Sequence, residues 1–168
     1  MPVVTKQVLW RFVEGWPTVV RILIADDYAP TREMLRLFLS EDPGFTIVGE
    51  AENGLRAVEM AEELRPDVVL MDVSMPVMNG MAATRLVLKA NRRARVITLS
   101  GHAEQGVARN ALDAGAYRHL TKPFDLFALS DLLKGLDGAP EPDSAPAAAP
   151  KPALHPGLVL DGSGEGRT

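Results

Sequence analysis

The chain has 168 residues, of which 46% are hydrophobic, and its formal net charge is −4 at pH 7. This length and composition are typical of a globular protein with one domain of ordinary size and some additional chain. The negative charge weighs against nucleic-acid binding by bulk electrostatics, and the absence of cysteine excludes disulfides and thiol chemistry.

Targeting signals and metal-binding histidines are not expected. No apolar stretch reaches the roughly 20 residues that cross a bilayer, and charged residues interrupt the N-terminal segment before it could act as a secretory signal. We therefore expect a cytoplasmic protein without a membrane partner. The three histidines, His102, His119 and His155, lack metal-ligand spacing.

The first segment, residues 1–18, precedes the first predicted strand. Its apolar residues fall on one stripe of a short amphipathic helix: Val8, Leu9, Phe12, Val13 and Trp16. The pattern favours a docked or frayed extension, and a partner-binding helix is the alternative.

Residues 19–137 alternate strand and helix signals at a regular spacing. The predicted strands are 19–25, 46–48, 68–71, 96–99 and 117–120, and the helices that follow them begin near residues 30, 53, 81, 107 and 125. Five strand–helix pairs with short connections indicate an α/β fold with a doubly wound parallel sheet. The fifth strand is the most polar, so we place it at an edge.

Residues 138–168 have a different composition and hold six of the thirteen prolines. Such a segment cannot bury enough apolar surface to offset its ordering entropy, so we expect a disordered tail.

Polar residues follow the strands at the points where the strands end. Asp26 and Asp27 follow the first strand, Asp72 the third, Ser100 the fourth and Lys122 the fifth. The carboxyl ends of parallel strands share one edge, where ligands of open α/β folds bind. Carboxylates grouped there suit Mg²⁺, and a carboxylate beside the cation can attack phosphorus. Taken singly, each residue has an ordinary alternative as a cap, a turn residue or a solvated charge.

Four motifs in this order resemble the receiver domain of bacterial two-component response regulators over about residues 20–137. They are Ile-Ala-Asp-Asp27, Met-Asp72 through Asn-Gly80, Leu-Ser-Gly101, and Gly-Ala116 leading to Leu-Thr-Lys-Pro-Phe124. The resemblance implies a flavodoxin-like fold with five helices and strand order 2-1-3-4-5. The stretch 48–54 is most similar to the subgroup that usually carries a helix-turn-helix output domain.

The resemblance also implies roles for individual residues. Asp72 would accept the phosphoryl group, while Asp26, Asp27, Asp72 and the backbone carbonyl of Ser74 would hold Mg²⁺. Ser100 and Lys122 would contact the phosphoryl group, Gly101 would keep the entrance open, and the Lys122–Pro123 bond would be cis. Ser74 and His102 occupy positions near the site that we expect to tune the lifetime of the acyl phosphate.

Two departures from the family pattern stand out. The switch residue that accompanies Ser100 is usually Tyr or Phe, but His119 is found at that position, either as a flat ring in the same role or as a buried, hydrogen-bonded histidine. The second departure is the missing output domain, because the tail is too short and too rich in proline to build one. The basic cluster Lys89, Arg92, Arg93 and Arg95 is interpreted as a solvated face.

We interpret the chain as a stand-alone receiver, which by the resemblance would take a phosphoryl group from a sensor histidine kinase or a histidine phosphotransfer protein. Its output would be a protein interaction through the fourth helix, fifth strand and fifth helix, and a phosphorylation-dependent homodimer is compatible with it. Three alternatives stay open: a Mg²⁺-dependent phosphohydrolase, a receiver-like binding module that ignores phosphorylation, and a DNA-binding regulator.

Overall fold

The computed structural model describes residues 19–101 and 106–138, so the predicted N-terminal helix and the proline-rich tail lie outside the described residues. The described strands form one parallel five-stranded sheet in the order β2-β1-β3-β4-β5. Their bounds are β1 Val20–Ala25, β2 Phe45–Ala51, β3 Val68–Asp72, β4 Arg95–Ser100 and β5 Arg118–Thr121. The predicted sheet order is confirmed, including the edge position of β5.

Five α-helices alternate with the strands, as predicted. Their bounds are α1 Ala29–Ser40, α2 Gly54–Leu64, α3 Gly80–Ala90, α4 Val107–Asp113 and α5 Leu126–Lys134, and a 3₁₀ turn, Gly135–Gly138, follows α5. Two strand predictions need correction. The strand β2 is longer than the predicted 46–48, and β5 lies one residue later than the predicted 117–120, because strand pairing rather than local apolarity fixes these ends.

The sheet has an apolar core on each face. On one face, α1 and α5 cover the sheet, with Leu35, Leu39, Leu129 and Leu133 buried against the strands. On the other face α2 and α3 cover it, and small residues such as Ala57 allow the helices to approach closely. Strands with apolar residues on both faces are what a sheet covered on both sides requires.

Side-chain caps fix the starts of three helices. Asn53 accepts a hydrogen bond from the Arg56 amide at the start of α2, and Asn79 accepts one from Ala82 at the start of α3. Asp125 accepts from two backbone amides of α5, at the predicted start of this helix. The caps set where each helix leaves the carboxyl edge of the sheet.

Two glycines allow loops at this edge to pack backbone against backbone. A Cβ at Gly80 would collide with the carbonyl oxygen of Asp72, and a Cβ at Gly54 would collide with that of Met78. The Gly80 amide also donates to the Val73 carbonyl at 2.9 Å. The start of α3 therefore rests directly on the end of β3, where Asp72 lies.

Candidate functional site

The centre of the candidate site is the ammonium group of Lys122. It donates to Asp26 Oδ2 and to Asp72 Oδ1, each at 2.6 Å. Asp26 is fully buried and Asp72 is 4% exposed, while the Lys122 side chain reaches them from the segment after β5. The ends of β1, β3 and β5 thus meet in one anionic pocket, as the sequence predicts.

Backbone amides hold the remaining oxygens of the two buried carboxylates. Asp26 Oδ1 accepts from the Tyr28 amide at 2.9 Å, and Asp72 Oδ2 accepts from the Ser74 amide at 2.8 Å. Each carboxylate is therefore oriented from both sides, with one oxygen fixed by its own loop and the other aimed at Lys122. Such orientation removes rotamer freedom that a reacting carboxylate would otherwise lose at the transition state.

The charge of Lys122 is stabilised by its two partners. Partial burial acts to lower its pKa, but the hydrogen bonds and negative charges of Asp26 and Asp72 outweigh burial and raise the pKa above the ordinary value. Lys122 therefore keeps its positive charge at neutral pH and is available to an incoming anion.

The charge of the carboxylates that could bind a metal suits a divalent cation. Asp26, Asp27 and Asp72 carry three negative charges against the single positive charge of Lys122, which leaves −2. Asp27, next to Asp26 in the chain, and Ser74, two residues after Asp72, are exposed to solvent. Among the described residues, no three acidic or histidine side chains are already close enough to hold a metal ion.

Ser100 ends β4 beside this pocket and is 2% exposed. Asp72 and Leu99 are register partners, and the Lys122 amide donates to the Ser100 carbonyl at 2.7 Å. The predicted alternative role of Ser100 as a helix cap is wrong, because α4 begins at Val107 with Gly106 as its cap residue.

His119 lies in β5 opposite Thr98 of β4. Its Nδ1 is 3.0 Å from the Thr98 hydroxyl, which also lies 3.3 Å from the Arg118 carbonyl as a donor. Burial lowers the pKa of the His119 imidazole, so the neutral ring is favoured. The ring is half-buried and hydrogen-bonded, as expected from the second of the two alternatives for His119, a buried and hydrogen-bonded histidine. Tyr117 precedes β5 and is 42% exposed, and the Arg95 guanidinium lies over its ring, 5.5 Å from the centroid.

Two participants were missed by the sequence interpretation. Thr98 is buried beside His119, and Arg32 of α1 donates to the Asp26 carbonyl at 2.7 Å. The sequence feature that could have pointed to Arg32 is its position in the first turn of a helix that begins just after Asp26 and Asp27. Thr98 lies two residues before Ser100, so strand alternation places both side chains on one face.

Other residues that the sequence singles out lie away from the pocket or outside the described residues. His102 lies outside the described residues. The basic cluster lies near the start of β4, at the opposite edge of the sheet from Asp72, where Lys89, Arg92 and Arg93 are exposed.

The Lys122–Pro123 peptide bond is cis, as the resemblance implies. Within 19–101 and 106–138, no helix is long and apolar enough to span a membrane.

The fold and pocket define a class of protein: a doubly wound α/β domain with buried acids and a lysine at the carboxyl edge of its sheet. Residues 22–134 match the family model for the response regulator receiver domain. The chain belongs to this family and is a receiver domain of two-component signalling.

Three similar proteins illustrate the range of this family. The chemotaxis protein CheY of Thermotoga maritima is 41% identical over 104 residues, which are 62% of this chain and 86% of that protein. The transcriptional regulatory protein DegU of Brevibacillus brevis is 36% identical over 115 residues, 68% of this chain and 49% of DegU. The receiver domain of a sensor histidine kinase from Pseudomonas aeruginosa is 32% identical with a TM-score of 0.65, covering 72% of this chain and 99% of that one. Its structure has magnesium coordinated in the active site cleft.

Proposed function

We propose that this receiver domain accepts a phosphoryl group on Asp72 from a histidine kinase or a histidine phosphotransfer protein, and signals by protein interaction. The observation that carries the proposal is the bridge from Lys122 Nζ to Asp72 Oδ1 and Asp26 Oδ2, both at 2.6 Å. A buried, oriented carboxylate next to a permanent cation is the arrangement that phosphoryl transfer to an acid needs.

The transfer forms one bond and breaks another at phosphorus. A carboxylate oxygen of Asp72 attacks the phosphorus while the bond from phosphorus to the partner's histidine nitrogen breaks. The nitrogen keeps the electron pair, and because the other ring nitrogen of the phosphorylated histidine carries a proton, the partner histidine leaves as neutral imidazole. Lys122 stays close to the oxygens on which negative charge accumulates, and the Ser100 hydroxyl is the neutral donor proposed for a third oxygen.

Mg²⁺ is the proposed cofactor, held by the carboxylates of Asp26, Asp27 and Asp72 and by the backbone carbonyl of Ser74. When bound, it supplies the positive charge that lets an anionic phosphodonor approach the acid cluster. The residues themselves orient the acceptor, since the Ser74 amide fixes Asp72 Oδ2 at 2.8 Å. The charge of −2 around Lys122 and the magnesium in the related kinase receiver support this assignment.

Ser100 and His119 form the proposed switch. Movement of the Ser100 hydroxyl toward a phosphoryl group on Asp72 would vacate space on the face of β4 that it shares with Thr98. The ring of His119, which is hydrogen-bonded to Thr98 at 3.0 Å, lies next to this space and can move when Ser100 moves. The surface of α4, β5 and α5 is where this response would reach a protein target.

Intact mass tests the acceptor directly. We expect the protein incubated with Mg²⁺ and acetyl phosphate to gain the mass of one phosphoryl group, because Asp72 is the oriented nucleophile. Asp72→Asn should gain none, since an amide is not nucleophilic at phosphorus. Asp113→Asn, which makes the same charge change at an exposed position of α4, should behave as the unmutated chain. A phosphoryl gain in Asp72→Asn would refute the assignment.

A further inference from the structure

We propose that Arg32 is a positioning residue for the magnesium site, and that it acts by fixing the peptide that joins Asp26 to Asp27. The proposal rests on the proposed function, because it assigns a second layer of contacts to that metal site. Arg32 itself contributes no oxygen and would not touch the metal.

The guanidinium of Arg32 is held between two segments. One of its terminal nitrogens donates to the Asp26 carbonyl at 2.7 Å. Its Nε lies 3.5 Å from Glu50 Oε2 near the end of β2, a charge contact without an aligned hydrogen bond. The Arg32 side chain is only 18% exposed. A partly buried charge needs such partners, so its conformation is restricted.

The Asp26 carbonyl belongs to the peptide group that also contains the Asp27 amide. The Asp26 amide donates to the Ala51 carbonyl at 3.0 Å, which anchors the chain on the other side of the same residue. With the carbonyl held by Arg32, the plane between the two acids cannot rotate freely. The direction of the exposed Asp27 side chain therefore depends on Arg32.

Arg36 provides a matched comparison. It lies one helical turn further along α1, and its Nε is 3.3 Å from the other oxygen of Glu50. Arg36 also lies 4.0 Å from Glu33 and is 43% exposed. The two arginines thus share one carboxylate, but only Arg32 is bonded to the carbonyl of Asp26.

A positioning role and a purely electrostatic role for Arg32 predict opposite effects of its removal on Mg²⁺ affinity. Arg32 is a cation near a site for a cation, so removing its charge should strengthen Mg²⁺ binding if charge were its only contribution. Loss of the carbonyl contact should weaken binding, since the acid pair would have to be ordered when the metal arrives. The sign of the change therefore separates the two explanations.

Calorimetric titration with Mg²⁺ tests the proposal on the full chain. Arg32→Gln should raise the dissociation constant by about tenfold, as loss of outer contacts to metal ligands does elsewhere. Arg36→Gln loses the same charge and should bind Mg²⁺ as well as the unmutated chain or slightly better. Equal or tighter binding by Arg32→Gln would overturn the proposal.

A second readout needs no metal. The amide resonance of Asp27 in metal-free protein should shift or broaden in Arg32→Gln but not in Arg36→Gln, because only the former frees the shared peptide. If Arg32→Gln does not fold, Arg32→Lys serves instead. It keeps the charge without the planar fork, so weaker Mg²⁺ binding would support the proposal and unchanged binding would overturn it.

The outcomes distinguish this proposal from the one on which it rests. An unmutated chain that neither binds Mg²⁺ nor accepts a phosphoryl group would refute the proposed function, and this inference with it. An unmutated chain that does both, while Arg32→Gln binds Mg²⁺ equally well, would refute the positioning role alone.

Discussion

At the scale of single residues, the pair formed by His119 and Thr98 gives this receiver a titratable ring where its family usually has a phenyl or phenol ring. The neutral imidazole can accept a hydrogen bond from the Thr98 hydroxyl through Nδ1, at 3.0 Å. In the protonated ring Nδ1 is a donor, so the Thr98 hydroxyl would have to accept and direct its own proton to the Arg118 carbonyl, at 3.3 Å. In the neutral tautomer with its proton on Nε2, Nδ1 accepts from Thr98, so protonation of that tautomer reverses this hydrogen bond beside the proposed switch.

The stability of the fold should depend on the charge of His119. Because burial lowers its pKa in the folded state, the unfolded chain takes up the proton first as pH falls. Its contribution is therefore unchanged above the unfolded pKa, about 6.5, and becomes unfavourable as pH falls below that value. We expect urea denaturation to show a smaller loss of unfolding free energy between about pH 7.5 and pH 5.5 for His119→Phe than for the unmutated chain.

The difference between the two chains is what matters in that experiment, since other groups titrate equally in both. One proton limits the difference in slope to about 1.4 kcal/mol per pH unit. Parallel pH profiles for the two chains would show that His119 has the same pKa in the folded and unfolded states.

The sequence located the central residues of the pocket because each lies at the end of a strand. Asp26, Asp72 and Lys122 meet as predicted. Arg32 could not be assigned in this way, since its partner is a backbone carbonyl and any residue could supply one. The positive φ of 67° at Val77 could not be predicted from the sequence either, because a β-branched residue rarely adopts that conformation.

At the scale of secondary-structure elements, the junction of β3 with α3 links packing to the site. Gly80 is the first residue of α3, and its amide donates to the Val73 carbonyl at 2.9 Å. A larger residue would separate the helix from the strand end that carries Asp72. In the sequence, Gly80 appears only as the end of a family motif, because the backbone contact that requires glycine is a tertiary contact and cannot be recognised from neighbouring residues.

We expect Gly80→Ala to lower the unfolding free energy by about 1–3 kcal/mol, the usual effect of adding a methyl group where there is no room. The Cβ would meet the backbone of Asp72 and Val73, which cannot move aside as a flexible side chain can. Urea denaturation measures the loss, and phosphoryl transfer to Asp72 should slow in parallel.

Gly135→Ala is the matched control, because no atom lies within 4 Å of a Cβ there and φ is −70°. It should leave the unfolding free energy nearly unchanged. If both alanine variants were equally stable, the junction would be more adaptable than its packing indicates.

At the scale of the whole molecule, the parallel sheet followed from the regular alternation of strands and helices, and its strand order followed from the family resemblance. The exact strand ends did not, since β2 reaches Ala51 only by pairing along the length of β1. The irregular register between Ile22 and Leu23 on β1 is another feature of pairing rather than of local sequence.

Magnesium should stabilise the entire fold, because the folded chain brings its proposed ligands together and the unfolded chain does not. At a concentration about a hundredfold above the dissociation constant, the gain should be about 2.7 kcal/mol. Thermal denaturation with and without Mg²⁺ measures it. In a variant with both Asp26→Asn and Asp27→Asn the gain should disappear, and an equal gain there would place the ion elsewhere.

The two carboxylates joined by Lys122 come from distant parts of the chain, 96 residues away for Asp26 and 50 for Asp72. No fragment that contains only one or two of these strands can therefore assemble the proposed acceptor site. A kinase that recognises this pocket would find it only on chains whose sheet is complete. Incomplete or misfolded chains would therefore not be phosphorylated.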